Sequence, residues 1–404
     1  MRRMIVGGVW FAVVSVIILV VLTAVLRADI LTDYLIEYVG DIMDKRSAAG
    51  QEDDAQEEQS AAQPAARERE YISPEKYEPE NISDVIINDA GYYHAGELEL
   101  PVSGATGYAA VDLDLKIGTE VIASIKAGTA FLIMLEDNIW WYVSADTPDG
   151  KKEGWAEHKY CLINLPDVIP SIIYDNKNSY SSAFASSGQI IPGITGQRLY
   201  RYSERADGKL YNERLKKNEY IVPVLYETAK KLGLAQRSAL DAGDTLILYE
   251  AYRPHLAQAS VANGLTVLAN ANPRVQANLN AGGWDMAAFA SPDISSHQAG
   301  YAIDASLARV LNIAQAETGG YKYRQIVKAE YYDMPTPVHE LSILAADQID
   351  PHVQTLRAYC TEAGFTPLES KWWHFDDLYT RASLARSGTG NFEIKEAVSA
   401  PPRN

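Results

Sequence analysis

The chain has 404 residues, of which 47% are hydrophobic, and a formal net charge of −17. This length allows about two or three domains with sizeable cores. The acidic balance argues against nucleic acid as a partner, because phosphate backbones bind surfaces rich in Lys and Arg. Cys161 and Cys360 are the only cysteines. They could pair if the fold brought them together, but two buried free thiols are the simpler expectation.

The amino terminus predicts a membrane anchor. Residues Met4–Leu26 are 23 consecutive uncharged, mostly apolar positions, enough for a helix to cross a bilayer core of about 30 Å. No convincing small-residue cleavage site follows, so we predict an uncleaved signal anchor over residues 1–27 rather than a cleaved signal peptide. Arg2 and Arg3 precede the span and acidic residues follow it. The positive-inside rule therefore predicts a cytoplasmic amino terminus and extracellular domains.

The next two segments change character along the chain. Residues 28–45 carry apolar side chains at helical spacing, which predicts a juxtamembrane helix. This helix could continue the anchor, lie on the membrane surface or pair with a second copy. Residues 46–83 are rich in Ala, Gln, Glu and Ser, with few large apolar side chains. Such a segment cannot bury enough apolar surface to offset chain entropy, so we predict a disordered acidic tether.

Residues 84–166 contain short β-prone runs separated by turn residues, the pattern of a small all-β domain. These runs predict strands at Glu120–Ile125, Ala130–Met134 and Trp140–Val143. Gly128-Thr129, Trp140-Trp141 and Gly154-Trp155 resemble the corresponding features of bacterial SH3-like domains. The resemblance implies a small barrel that binds cell-wall peptide or positions an attached enzyme. The tryptophans equally suit the core of such a barrel, and we assign none of them to binding.

Residues 167–390 mix helical and strand patterns without a repeating order. Helical periodicity covers Leu215–Leu232 and residues 255–282, and Asp244–Tyr249 has the pattern of a buried strand. This mixture is typical of an α+β domain rather than a doubly wound one. We predict that residues 391–404 form a flexible tail.

A constellation of residues inside this domain predicts a zinc site. Its members are Ser295, His297, Gly300, Ala302 and Asp304, followed about seventy residues later by Trp372, Trp373 and His374. Zinc accepts imidazole nitrogen and carboxylate oxygen, and a catalytic zinc site leaves its fourth position to water. His297, Asp304 and His374 would supply two nitrogens and one oxygen to one Zn²⁺.

This constellation resembles the metal-binding motif of zinc D,D-peptidases, including D-alanyl-D-alanine dipeptidases and related carboxypeptidases. Tyr252-Arg253-Pro254 resembles a family segment whose Arg stabilises the tetrahedral transition state. The resemblance covers roughly half of the chain. It implies an α+β zinc peptidase fold, Ser295 in substrate binding, and a substrate that is a D-Ala-D-Ala-containing peptide or a peptidoglycan stem peptide.

The sequence departs from that family at the position of the general base. The family has a Glu directly before Trp-Trp-His, whereas this chain has Lys371. A charged Lys cannot accept a proton and adds positive charge beside the metal. Glu369 lies two residues earlier and could act as a displaced base, although adjacent same-face positions on a strand stand roughly 6.5 Å apart.

A second departure lies in Met334–His339, where the family usually has an Asp that helps to hold the amine of the substrate. His339 occupies that place. A neutral His could accept a hydrogen bond from an ammonium group. It could also be an additional ligand or a solvated loop residue, and we favour the solvated position.

These features together predict a membrane-anchored, extracellular zinc D-Ala-D-Ala dipeptidase-like peptidase of peptidoglycan metabolism. The alternative is a catalytically impaired zinc-binding protein that binds or senses cell-wall peptides. Lys371 and His339 favour the alternative, whereas Ser295, Arg253 and the three ligand residues favour the enzyme.

Overall fold

The computed structural model describes residues 93, 97–176, 200–201, 208–291, 294–384, 392–394 and 398–399. The predicted anchor, juxtamembrane helix and tether lie outside these residues. Among the residues that are described, no helix is long and apolar enough to span a bilayer.

The strands are β1 (Thr106–Ala109), β2 (Leu113–Ile117), β3 (Glu120–Ile125), β4 (Ala130–Asp137), β5 (Trp140–Thr147), β6 (Gly150–Glu157), β7 (Cys161–Asn164), β8 (Ile173–Tyr174), β9 (Tyr200–Arg201), β10 (Leu210–Asn212), β11 (Lys217–Glu219), β12 (Pro223–Leu225), β13 (Asp244–Glu250), β14 (Ala302–Thr318), β15 (Tyr321–Tyr331), β16 (Thr366–Leu368), β17 (Lys371–Asp376) and β18 (Val398–Ser399). The α-helices are α1 (Tyr226–Asp241), α2 (His255–Ala271), α3 (Pro273–Leu279), α4 (Pro351–Glu362) and α5 (Leu378–Leu384).

Strands β1–β7 form the β-module, which occupies residues 106–164. They belong to an eight-stranded antiparallel sheet with the order β12-β7-β1-β4-β5-β6-β2-β3. Trp141 is fully buried in its core, whereas Trp140 and Trp155 are half-buried. The strands that the sequence predicts at Glu120–Ile125, Ala130–Met134 and Trp140–Val143 are confirmed. The resemblance of the β-module to SH3-like domains stays a prediction.

A strand from the following region completes the sheet of the β-module. β12 pairs with β7 in the register Val224↔Ile163 and Leu225↔Leu162. These residues are buried in one hydrophobic cluster that also contains the interior of the second sheet. The β-module and the α+β region therefore share a core.

The second sheet has the order β16-β17-β14-β13-β8, and β15 pairs with β14 to extend it. Its pairings are antiparallel except that of β8 with β13. The helix α1 packs against β13 and α4. Mixed strand directions with helices packed on the sheet are the α+β arrangement that the sequence predicts.

Two predicted helices have different bounds in the structure. The periodic segment Leu215–Leu232 is helical only from Tyr226, because Lys217–Glu219 and Pro223–Leu225 form strands. The stretch 255–282 is divided into α2 and α3 at Asn272. Pro273 cannot continue a helix but suits the first position of a new one, and the Asn272 side chain caps α3 by accepting from Arg274 N.

Two further expectations concern the cysteines and the tail. Cys161 and Cys360 are both buried and free, as predicted. The prediction of a flexible tail is wrong for Phe392 and Ile394, since both are buried in the main core. Phe392 and Ile394 are held by tertiary contacts, which leave no periodic pattern in the sequence.

Candidate metal centre

The register of three adjacent strands brings polar residues into one row. Glu250 at the end of β13 lies opposite Asp304 on β14, and Asp304 lies opposite His374 on β17. Side chains that stand opposite each other in antiparallel strands point to the same face of the sheet. Strand pairing therefore joins Asp304 to a residue 70 positions later in the chain.

His297 reaches this row from the turn that precedes β14. Gly300 in this turn has a φ of +82°, and a Cβ there would lie 2.3 Å from the Leu162 side chain. Its carbonyl accepts a hydrogen bond from Leu225 N at 2.8 Å. The motif thus needs glycine at this position both for its conformation and for its close approach to the β-module. Ser295 Oγ accepts from Gln298 N at 3.2 Å and stabilises the same turn.

The three predicted ligands converge and are buried. Asp304 Oδ1 lies 2.9 Å from His374 Nδ1 and 3.2 Å from His297 Nε2, and the two nitrogens lie 3.1 Å apart. Ligand atoms about 2.0–2.2 Å from a tetrahedral zinc ion stand roughly 3.3–3.5 Å from one another. Outward movements of a few tenths of an ångström would fit the triad to zinc.

Hydrogen bonds outside the triad determine which ring nitrogens face inward as acceptors. His297 Nδ1 donates to the carbonyl of Ala251 at 2.7 Å, and His374 Nε2 donates to Asp376 Oδ1 at 3.1 Å. In the neutral imidazoles, the other nitrogens then present lone pairs toward Asp304 Oδ1. Two lone pairs and a carboxylate oxygen that face each other require a cation between them, so the donor set fits a metal ion.

The electrostatics of the triad agree with this assignment. Burial lowers the pKa of His297, which favours the neutral ligating form. Burial opposes the charge on Asp304, but the neighbouring His297 and the hydrogen bond with His339 hold the pKa of that carboxyl well below its ordinary value. Burial also opposes charge on His374, but Asp376 and Asp304 outweigh it and raise the pKa. The centre is therefore built to stabilise positive charge.

Arg253 lies beside the triad and is buried. Its guanidinium donates to Glu250, to Gln258 Oε1 at 2.5 Å and to Asp304 Oδ2 at 3.2 Å. Burial opposes the charge on Glu250, but Arg253 outweighs it and lowers the pKa. Glu250, Asp304 and His339 also cluster closely enough to hold a cation. Because the guanidinium bonds both carboxylates, we assign that cluster to an ion-pair network.

A family model described as D-ala-D-ala dipeptidase matches residues 184–386, half of the chain. The chain belongs to the D-Ala-D-Ala dipeptidase family. The comparison with curated proteins gave no match. The family match includes Arg253 and the three metal-centre residues and leaves the β-module outside it.

The position of His339 differs from our expectation for this dipeptidase-family domain. The prediction of a solvated loop residue is wrong, because His339 is buried. Its Nε2 lies 2.9 Å from Asp304 Oδ2 and 3.7 Å from Glu250 Oε2. A φ of +64° turns the chain at this residue. That conformation is uncommon for a residue with a side chain, and the sequence pattern carries no sign of it.

Lys371 lies on the first position of β17, and its Nζ donates to the carbonyl of Phe289 at 3.1 Å. Together with Arg253, Asp304 and His339 it lines a cavity of about 10 Å³, the space that one water molecule fills. Burial lowers the pKa of Lys371 to about 8. Lys371 thus lies within the site itself.

Glu369 is not brought to the dipeptidase-family centre. It lies exposed in the turn between β16 and β17, where its main-chain carbonyl accepts from Gln348. Among the described residues, it belongs to neither cluster of candidate metal ligands.

The sequence analysis missed the residues that orient the site. Glu250 and Gln258 hold Arg253, Asp376 orients His374, and the Ala251 carbonyl orients His297. Period-2 spacing from His374 could have identified Asp376, because alternate residues of a strand share a face. The main-chain acceptor at Ala251 leaves no residue-type signal.

Proposed function

We propose that this chain is a zinc peptidase of the D-Ala-D-Ala dipeptidase type, acting on a D-Ala-D-Ala-containing peptide or a peptidoglycan stem peptide. The observation that carries the proposal is the convergence of His297 Nε2, His374 Nδ1 and Asp304 Oδ1, with both imidazoles oriented by acceptors behind them. Zinc at this place would polarise a scissile carbonyl and lower the pKa of water.

The neighbouring residues suit the other parts of peptide hydrolysis. Arg253 is held by Glu250 and Gln258 and carries a permanent positive charge next to Asp304. Such a charge stabilises a developing oxyanion. With a pKa of about 8, roughly a tenth of Lys371 is neutral at pH 7. The neutral amine can accept a proton, so we assign the general base to Lys371.

The site of action is part of the proposal and rests on sequence. Met4–Leu26 has the length and composition of a signal anchor, with Arg2 and Arg3 before it. This predicts that the peptidase lies outside the cell, joined to the bilayer by the tether. An SH3-like β-module beside the domain would suit a stem-peptide substrate. Protease treatment of intact cells should release the carboxy-terminal domains, whereas their retention would contradict the topology.

A catalytically impaired protein that binds or senses cell-wall peptides is the second candidate. The observation that favours it is the charge of the residues around the cavity. Lys371 is mostly cationic at neutral pH, and His339 stands where the family has an amine-binding acid. Glu369 is exposed in its turn. In this candidate the metal centre holds a peptide without cleaving it.

Zinc content and peptide hydrolysis of the purified full-length protein separate the two candidates. The substrates are D-Ala-D-Ala and a stem pentapeptide, and the variants are Lys371→Met and Lys371→Glu. The enzyme predicts hydrolysis by the native protein that falls by about 100-fold in Lys371→Met, in the range expected for a general base. Lys328→Met, an exposed position on β15, is the matched control and should keep full activity.

The binding protein predicts a different result. The native protein would contain zinc and hydrolyse neither substrate, and Lys371→Glu would acquire turnover. A native protein that binds no zinc in the presence of excess metal would contradict both candidates.

A further inference from the structure

The carboxy-terminal strap, residues Phe392–Ile394, lies beyond the segment that the family model matches. Phe392 and Ile394 are buried within the main core. The Phe392 ring stacks on Tyr252 with centroids 5.6 Å apart and an interplanar angle of 17°. Tyr252 is itself fully buried and directly precedes Arg253. The strap therefore packs against the chain next to the metal centre.

One carbonyl of the strap ties together two loops of the site. Phe392 O accepts from Tyr252 Oη at 2.7 Å and from Gln298 Nε2 at 3.3 Å. Tyr252 Oη in turn accepts from Ile394 N at 3.3 Å. Gln298 directly follows His297 in the sequence. The strap thus links the segment that carries Arg253 to the turn that carries His297.

The segment around Tyr252 also orients a metal ligand. Ala251 O accepts the hydrogen bond from His297 Nδ1 at 2.7 Å, and Arg253 donates to Asp304 Oδ2 at 3.2 Å. Movement of Tyr252 would displace both of these flanking groups. Contacts of this kind hold the imidazole ring of a ligand in its orientation, and their loss typically lowers metal affinity by about 10–100-fold.

The opposite side of the strap lies against the β-module. Gly128, in the turn between β3 and β4, has a φ of +83°, and a Cβ there would lie 2.2 Å from Glu393 O. The same Cβ would lie 3.5 Å from the Phe392 ring. Main-chain atoms of the strap cannot yield by a side-chain rotation, so a side chain at position 128 would displace the strap.

We propose that the carboxy-terminal strap is a positioning element of the metal centre, held against Tyr252 and Gln298 by the Gly128 turn of the β-module. The inference rests on the metal site of the proposed function. It adds a role for a segment outside the family match and connects the β-module to the metal centre. Tyr252, Gln298 and Phe392 act through their neighbours and are positioning residues.

Two glycine substitutions in the full-length protein test the proposal. Gly128→Ala pushes the strap, whereas Gly150→Ala is the matched control: Gly150 also belongs to the β-module, has a φ of +96° and has open space around its Cβ position. Both variants carry the same kind of backbone strain, so both should lower Tm. Only Gly128→Ala should weaken zinc binding, by about tenfold, and shift the visible absorption bands of the Co²⁺-substituted protein.

Tyr252→Phe provides a second variant that keeps the ring stacking and removes the hydroxyl. It should raise the zinc dissociation constant by about tenfold and alter the Co²⁺ spectrum in the same direction as Gly128→Ala. A merely structural role for the strap would lower Tm and leave the affinity and spectrum of the folded protein unchanged.

The outcomes separate this inference from the proposed function. If the native protein and both glycine variants bind zinc equally and give identical Co²⁺ spectra, the strap is not a positioning element, and the proposed metal site still stands. If the native protein binds neither Zn²⁺ nor Co²⁺, the metal site itself is wrong and this inference is overturned with it.

Discussion

His297, Asp304 and His374 meet at one carboxylate oxygen with both imidazoles oriented from behind, whereas Lys371 and His339 place basic groups at positions where the resemblance to the family led us to expect acids. The ligand half of the site therefore matches what zinc needs. The other half places two basic side chains beside the cavity. The two halves meet at Asp304, since His339 contacts its second oxygen.

The two halves are anchored in different ways. Asp304 and His374 are locked in register across β14 and β17, and Gly300 holds the His297 turn against the β-module. A side chain at position 300 would therefore disturb the packing against the β-module. Lys371 lies at the first position of β17, and His339 lies in a turn with a positive φ.

The largest expected effect is on zinc affinity, when one histidine from each half is replaced by alanine. His374→Ala removes a ligand and should weaken zinc binding by on the order of 1,000-fold, more than the loss of an outer partner. His339→Ala removes contacts outside the triad, including that to Asp304, and should weaken zinc binding by at most about 10–100-fold. Equilibrium dialysis with zinc measures both. Equal losses in the two variants would erase the distinction between the halves.

The pH dependence of hydrolysis tests the role of Lys371 in the second half of the site. If Lys371 is the base, its amine must be neutral to accept a proton. Because burial lowers the pKa of Lys371 to about 8, kcat/KM should rise about tenfold per pH unit below that value and level off above it. A bound divalent cation disfavours the charged amine and moves the rise to lower pH. A profile that falls between pH 6 and 8 would contradict this assignment.

A smaller effect concerns the stability of the loop that carries His339. Burial raises the pKa of Glu340 to about 7, so the folded state binds this proton more tightly than the unfolded chain does. Stability should therefore fall by about 2–3 kcal/mol as the pH rises from about 4.5 to 7, and the loss should persist above that range. Glu340→Gln should remove the contribution of Glu340 to this fall, whereas the buried Glu99, whose pKa burial also raises to about 7, keeps its own contribution.

Urea unfolding of the metal-free protein at pH 5 and pH 8 measures this difference. Glu362→Gln, at an exposed carboxylate at the end of α4, serves as the control and should retain the pH dependence of the native protein. The interpretation fails if Glu340→Gln loses as much stability between the two pH values as the native protein does.

The candidate ligands and the contacts around them also differ in how far they could be predicted from the sequence. The candidate ligands His297, Asp304 and His374 were predictable because they lie in segments that resemble the motif of the family. The strand Asp244–Glu250 was predictable from its buried apolar pattern. Local periodicity misplaced the start of α1, because pairing of β12 with β7 outweighed the helical pattern before Tyr226.

The tertiary contacts around the site could not be predicted in this way. The burial of His339 depends on a left-handed turn and on Asp304, 35 residues away. The carbonyls of Ala251 and Phe392 are main-chain acceptors. A residue of any type at these positions would provide the same carbonyl. Sequence patterns report side chains, so these contacts become visible only in the folded chain.

The smallest expected effect is at Glu369, the alternative base that the sequence suggested. Its position in an exposed turn keeps it outside both ligand clusters of the described residues. Glu369→Gln should therefore change zinc affinity and kcat/KM by no more than about twofold, the range of an ordinary surface substitution. Lys371→Met, two residues later in the chain, should reduce hydrolysis by about 100-fold under the same conditions. If Glu369→Gln instead abolished hydrolysis while zinc stayed bound, the turn would have to rearrange around the substrate, and the base would belong to Glu369 rather than to Lys371.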